Sequence, residues 1–288
     1  MRYVVAGVTG QTGRVVAETL LAEGRKVRVI VRDAAKGEPF RAKGAEVAVA
    51  DIANEAALTK ALEGAEGAYL LVPPSMREKD YRAYEDGIVD AIVGAVRAAK
   101  VPHVVLLSSV GAQHAAGTGP IAAMHRAEKL LATVPGTKAT FIRAAYFMEN
   151  LGGSLGTLGQ GFIPTFFAKD LAIPMIATAD IGKVAAKALV EGAKETSIIE
   201  LAGPEVSASQ VAETLARITG KPVAVQEAPL DAVVPTFTGF GMSESLATMY
   251  REMIAAVTSG LVAFEGGHRR AQGTTSVETV LRGLLGRA

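Results

Sequence analysis

Residues 4–21, VVAGVTGQTGRVVAETLL, decide the fold. Val4, Val5, Ala6 and Val8 form an apolar run of strand character, and residues 14–21 have helical character. Between them stand Gly7, Gly10 and Gly13. In a strand-turn-helix that binds a dinucleotide, each glycine has a task. Gly7 permits the tight turn, Gly10 lets the backbone approach a pyrophosphate with no Cβ in the way, and Gly13 lets the helix pack closely on the strand. The first N–H groups of the helix then point at the phosphates, and Thr9, Gln11 and Thr12 belong to the same turn.

Working outward, apolar runs at 27–31, 46–50, 68–72, 104–107 and 140–143 alternate with helical patterns at 55–62, 81–100 and 121–134. Strands apolar on both faces, joined by helices, predict an α/β fold with a doubly wound parallel sheet, a Rossmann domain over residues 1–150. Ligands bind such sheets at the carboxyl ends of the strands. After Asn150 the character changes. Residues 151–167, LGGSLGTLGQGFIPTFF, mix glycine with aromatic side chains and read as a mobile segment leaving the sheet. Asp180 is a candidate N-cap for the helical pattern that follows. Residues 197–203 and 222–229 read as strands, 206–220 as a helix closed by Gly220, and 242–259 and 277–285 as mainly helical. The expectation is a smaller, mainly helical unit on the substrate side over 151–288, with 178–203 rejoining the Rossmann sheet.

The chain has 288 residues, 49% hydrophobic and 20% charged, enough for one large core and an appended unit. A net charge of +1, with cations and anions interleaved, offers no field for a nucleic acid. The absence of cysteine excludes thiolate catalysis and disulfides and fits a reducing compartment. No apolar run approaches the roughly 20 residues of a membrane span, and the first strand follows Met1 and Arg2 directly, so no signal peptide is expected. The expected location is the cytoplasm, with no membrane partner. His103, His114, His125 and His268 lack ligand spacing, so no metal is expected.

The segments GVTGQTG (7–13), VRD (31–33), VADIAN (49–54), HVVLLSSVGAQ (103–113), HRAEKLL (125–131), FIRAAYFMENL (141–151), ADIGKVAAKAL (179–189) and the run 200–223 occur in one order. In these the chain resembles the NmrA-like family of atypical short-chain dehydrogenase/reductases, to about Val225. The resemblance implies an oxidoreductase that moves hydride from NADPH to a small apolar electrophile, such as a quinone or activated carbonyl. It also admits the family's other kind of member, a non-catalytic NADP(H)-sensing regulator that binds a partner protein. A homodimer is compatible with either.

The cofactor residues are read in that light. Arg32, at the end of the second strand, suits bidentate contact with a 2′-phosphate, and the resemblance implies NADP(H) in preference to NAD(H). Asp33 competes, since an acid about 20 residues past the glycines is where a ribose-binding carboxylate stands; alternatively, Arg32 and Asp33 form a solvated ion pair. The resemblance sets the Asp51 carboxylate against the adenine amino group, with Ile52 offering its backbone; the other role for Asp51 is capping the next helix. Val72, Pro73 and Pro74 either pass beside the nicotinamide ribose or form a rigid loop without ligand contact.

The reaction centre departs from the usual pattern. Short-chain dehydrogenases hold a Tyr and a Lys four residues apart on the helix after the fifth strand. Here His125 stands in the Tyr position before Lys129, and Met124 occupies the place where many relatives carry a polar residue. His125 is either a proton donor with Lys129 on the ribose, or both are solvated with Glu128 on a polar face. Ser108 or Ser109 is expected to face the nicotinamide, the other satisfying local backbone. Tyr146, Phe147 and Asn150 follow the sixth strand and are expected to border the same crevice; the resemblance implies that Tyr146 and Phe147 contact the nicotinamide or substrate, with Tyr146 a catalytic candidate, and core packing is their other role. Phe162, Phe166, Phe167, Phe237, Phe240 and Met242 either wall an apolar substrate pocket or form core.

Overall fold

The computed structural model describes residues 2–286; Met1, on which the reading of the chain's start partly rests, lies outside the described residues, as do 287 and 288. The first half alternates strand and helix: β1 (Arg2–Val5), α1 (Gln11–Ala22), β2 (Lys26–Val31), a short α2 (Glu38–Arg41), β3 (Glu46–Val49), α3 (Glu55–Leu62) and β4 (Gly67–Leu70). It continues through α4 (Tyr81–Ala99), β5 (His103–Ser109), α5 (Ile121–Ala132) and β6 (Lys138–Ala144). Next come β7 (Tyr146–Phe147), a 3₁₀ helix (Met148–Gln160), β8 (Phe162–Thr165), β9 (Ile173–Ile176), α6 (Thr178–Glu191), β10 (Ser197–Ala202) and β11 (Glu205–Val206). The remainder holds α7 (Ala208–Thr219), β12 (Ala224–Glu227), α8 (Val233–Gly239), α9 (Glu244–Thr258), β13 (Arg269–Gln272) and α10 (Val277–Leu285).

Eight strands form one sheet in the order β13-β10-β6-β5-β4-β1-β2-β3. All its pairings are parallel. Parallel crossovers put helices on both faces, and the period-2 alternation of strand residues divides the core accordingly. Val5, Val29, Tyr69, Val105, Ile142 and Leu201 turn toward α1 and α6. Val4, Ile30, Leu70, Leu106 and Phe141 turn toward α3, α4 and α5. The strand order reverses between β1 and β4, so a crevice opens there at the carboxyl edge.

A third cluster, including Met148, Ile163, Met175, Val211, Leu215 and Leu281, builds the C-terminal part. The segment 151–167, read as leaving the sheet, has regular structure. Most of it is the 3₁₀ helix followed by β8, which pairs with β12 in parallel. Leu151, Leu155 and Leu158, spaced about one helical turn apart, pack into the third cluster and give the glycine-rich run a buried stripe. Asp180 is also reassigned: α6 begins after Ala177, and the buried Asp180 carboxylate accepts the amides of Thr274 and Thr275 at 2.9 and 2.8 Å. β13, RRAQ, is an edge strand with little apolar content, which is why periodicity passes over it.

Candidate active site

The turn after β1 is built as its glycines require. Gly7 has φ +68°, in the region that L side chains avoid, and Gly10 N–H donates to Gly7 O at 2.9 Å. A Cβ on Gly13 would run into the carbonyl oxygen of Ala6 and the backbone of Gly7, so only glycine lets α1 lie this close to β1. The N-cap of α1, Gly10, makes no side-chain capping bond, which leaves the first N–H groups of the helix open, as a pyrophosphate site needs.

From this turn a cleft of about 510 Å³ runs across the ends of β1, β2, β3 and β4, and Gly7, Thr9, Arg32, Asp51, Ile52 and Pro73 line it. These residues, expected from the sequence to act together, thus line one cleft. Asn54, rather than Asp51, caps α3 through Ala57 N, while Asp51 accepts from Ala53 N at 3.0 Å. Pro73 O accepts the Tyr84 hydroxyl at 2.9 Å. Burial, then the negative charges of Glu78 and Asp51, raise that phenol, with Arg32 opposing them.

Other expected residues are engaged elsewhere. The Thr12 hydroxyl accepts from the buried Tyr69 at 2.8 Å, and Gln11 Oε1 accepts from Thr178 at 3.1 Å. Val72 packs on the α3–α5 side of the core. Ser108 donates to Glu128 Oε1 at 2.6 Å, and Ser109 donates to Val110 O at 3.0 Å. His125 and Lys129 line a separate groove of about 370 Å³, with Thr196, Glu265 and His268, and share no wall with the glycine cleft. His125 Nδ1 lies 2.9 Å from Ala112 O.

Glu128, read as solvated, is 6% exposed and sits between Ser108 and Arg143. Arg143 Nη2 and Nε donate to its two carboxylate oxygens at 2.8 and 3.1 Å, and Nη1 reaches Glu265 at 2.7 Å. The Arg143 guanidinium, then His268, hold the Glu265 carboxyl below its usual range. Sequence reasoning missed this pair because helical periodicity cannot show that a polar position faces a buried arginine on the next strand.

Around Tyr146 the surroundings turn apolar. A cavity of about 110 Å³ is lined by Tyr146, Asn150, Phe166, Phe167, Ile173 and Met175. Burial pushes the Tyr146 phenol up to about 12, the nearby Tyr250 adds to the rise, and a hydrogen bond with Asn150 opposes it. Tyr146 meets Phe167 edge-on with centroids 6.4 Å apart, while Phe166, Phe237 and Tyr250 form a ladder with successive centroids 5.5 Å apart. Phe147 packs against the α1–α6 side of the core, and Phe240, 80% exposed, stands away from these contacts.

Beside this cluster lies a residue the sequence did not reveal: Glu85 on α4, 3% exposed, whose nearest partner is Arg82 Nη1 at 3.4 Å. Burial raises its carboxyl to about 8, against the pull of Arg82 and with Asp86 adding slightly. Among the described residues, no group of three or more His, Cys, Asp or Glu is placed to hold a metal ion, and no helix is long and apolar enough to cross a membrane.

The NmrA-like family matches residues 2–259 of this chain. Quinone oxidoreductase 2 of Escherichia coli is 30% identical over 264 residues, 89% of this chain and 88% of its own. The NAD(P)H azoreductase of Xenophilus azovorans is 28% identical over 258 residues, 88% of this chain and 86% of its own. Among solved structures, an NADPH-dependent quinone oxidoreductase from Escherichia coli in complex with NADPH superposes with a TM-score of 0.82 at 26% identity, covering 99% of this chain and all of the other.

Proposed function

The chain belongs to the NmrA-like family, and from that premise and the geometry of its cleft we propose that it is an NADPH-dependent reductase of small apolar acceptors of the quinone class. The observation that carries this reading is the glycine turn opening into a cleft edged by Arg32, a guanidinium with no ion pair among the described residues. The residues fit the cofactor: Gly7, Gly10 and the α1 N-terminus suit the pyrophosphate, Asp51 and Ile52 the adenine, and Arg32 the 2′-phosphate. Bound there, NADPH supplies hydride.

The chain's own contribution is position and exclusion of water. The aromatic cluster around Tyr146 offers a dry wall to an apolar ring. The Tyr146 phenol, held up to about 12, keeps its proton throughout the neutral range. It therefore acts on an acceptor oxygen as a hydrogen-bond donor, with solvent as the source of the proton that completes the reduction. NADPH consumption with and without a panel of quinones, azo dyes and aldehydes tests the reading. Cofactor binding without consumption of any acceptor would leave the regulatory alternative in its place.

A further inference from the structure

Arg77 lies on the loop between β4 and α4 and lines the same cleft as Arg32. Neither guanidinium makes an ion pair among the described residues. Two like charges edging one cleft repel each other unless an anion lies between them. The cleft's own carboxylates are held locally, Asp51 by Ala53 N at 3.0 Å and Glu78 by Ser75 Oγ at 3.1 Å, and neither forms an ion pair with Arg32 or Arg77 among the described residues.

The loop that carries Arg77 is fastened rather than free. Met76 O accepts from Ser243 N at 2.7 Å, Tyr81 N donates to Ser245 Oγ at 3.0 Å, and Pro73 O accepts from Tyr84. Ser243 is the N-cap of α9, so the C-terminal part of the chain fixes the loop over the adenosine cleft. A pyrophosphate already has the N-terminus of α1. The cofactor anion with no backbone donors assigned to it is the 2′-phosphate, whose charge of nearly two matches two guanidinium groups.

We propose that Arg77 is the second arm of a clamp on the 2′-phosphate, reaching the cleft from the loop after β4 as Arg32 does from the end of β2, and that α9 holds that arm in place. The clamp rests on the reading of the cleft as an NADPH site.

Calorimetric titration of wild type, Arg77→Ala and Arg32→Ala with NADPH, NADH, 2′,5′-ADP and 5′-AMP tests it, with a melting curve of each variant as the folding control. Arg77→Ala should weaken NADPH and 2′,5′-ADP by about ten- to a hundredfold, the range for losing a charge-assisted hydrogen bond, and change NADH and 5′-AMP by less than about twofold. Arg77→Lys, which keeps the charge and loses the fork, should fall between. Wild-type preference for NADPH that survives Arg77→Ala would overturn the clamp alone, as would equal losses for NADPH and NADH. A wild-type protein that binds neither nucleotide would overturn the NADPH reading itself, and the clamp with it.

Discussion

Asp33 does not pair with Arg32. Its carboxylate accepts from Ala35 N at 3.0 Å and caps the short 3₁₀ turn that follows, leaving the Arg32 guanidinium at the edge of the cleft without an ion pair among the described residues. This separates two residues that compete in the sequence for the adenosine ribose. An Asp committed to a cap stabilises local backbone, while the arginine is left to recognise charge. Exchanging Arg32 for Ala should therefore cost about 1.5 to 3 kcal/mol of NADPH affinity and spare NADH. Equal binding of NADPH by wild type and variant would remove Arg32 from the site.

Gly10 and Gly13 should fail differently. A Cβ on Gly10 meets nothing closer than Gly7 O at 3.3 Å, and its φ of −94° suits any residue. Gly10→Ala should fold with a near-normal Tm but bind NADPH more weakly, because the methyl group stands where phosphate approaches. Gly13→Ala drives its methyl group into backbone and should cost about 1 to 3 kcal/mol of stability. Thermal melts beside nucleotide titration separate the two, and a stable Gly13→Ala would contradict the close packing of α1 on β1.

The buried pair Glu128–Arg143 and its neighbour Lys129 make a matched test. Glu128→Leu leaves a 5% exposed guanidinium with only Glu265, itself half-exposed, and should destabilise by about 3 to 5 kcal/mol. Lys129→Ala, on an exposed position one residue on, should change stability by under about 0.5 kcal/mol. Since Lys129 and His125 line the separate groove, we propose that neither holds the cofactor: each Ala variant should keep NADPH affinity within about twofold, far below the usual effect of a catalytic acid. A tenfold loss in either would bring that helix face into the site.

Glu85 should make the protein less stable as pH rises. Its carboxyl titrates near 8 in the fold, against 4.5 for the free side chain, so below about pH 4.5 it is neutral in both states and costs nothing. Between the two values the unfolded chain releases a proton that the folded chain keeps, and stability declines until about pH 8, where the penalty is complete. Arg82, 3.4 Å away, offsets part of the cost of burial without cancelling it. Glu85→Gln should raise the Tm more at pH 8.5 than at pH 4.5, values chosen at about the ends of this window. An equal gain at both would mean that the carboxyl ionises normally.

Much of the fold was legible because parallel strands buried on both faces declare themselves as apolar runs, and the glycine turn joins two of them in a recognisable way. α10 was read at its observed bounds, and the capping box of Ser207 with Gln210 and the left-handed Gly220 mark both ends of α7 in the sequence. That Gly7, Arg32, Asp51 and Pro73 line one cleft was legible for the same reason, since strand ends carry them. Ser108, Thr12 and Val72 show where the reading ran out: a position in the chain says which strand end a side chain occupies, but not which neighbour claims its hydroxyl or its face. Arg77 and Glu85 were illegible because their settings come from α9, more than about 150 residues away, across a helix contact with no periodic signature.

The most direct test follows the near-ultraviolet absorbance of NADPH in the presence of the protein and a simple benzoquinone or naphthoquinone, with NADH in a parallel series and Gly10→Trp as the blocked control. The account predicts steady, acceptor-dependent oxidation of NADPH, a much lower kcat/KM with NADH, and none above background for the blocked variant. Tight NADPH binding with no acceptor-dependent oxidation, or oxidation that persists in Gly10→Trp, would contradict it.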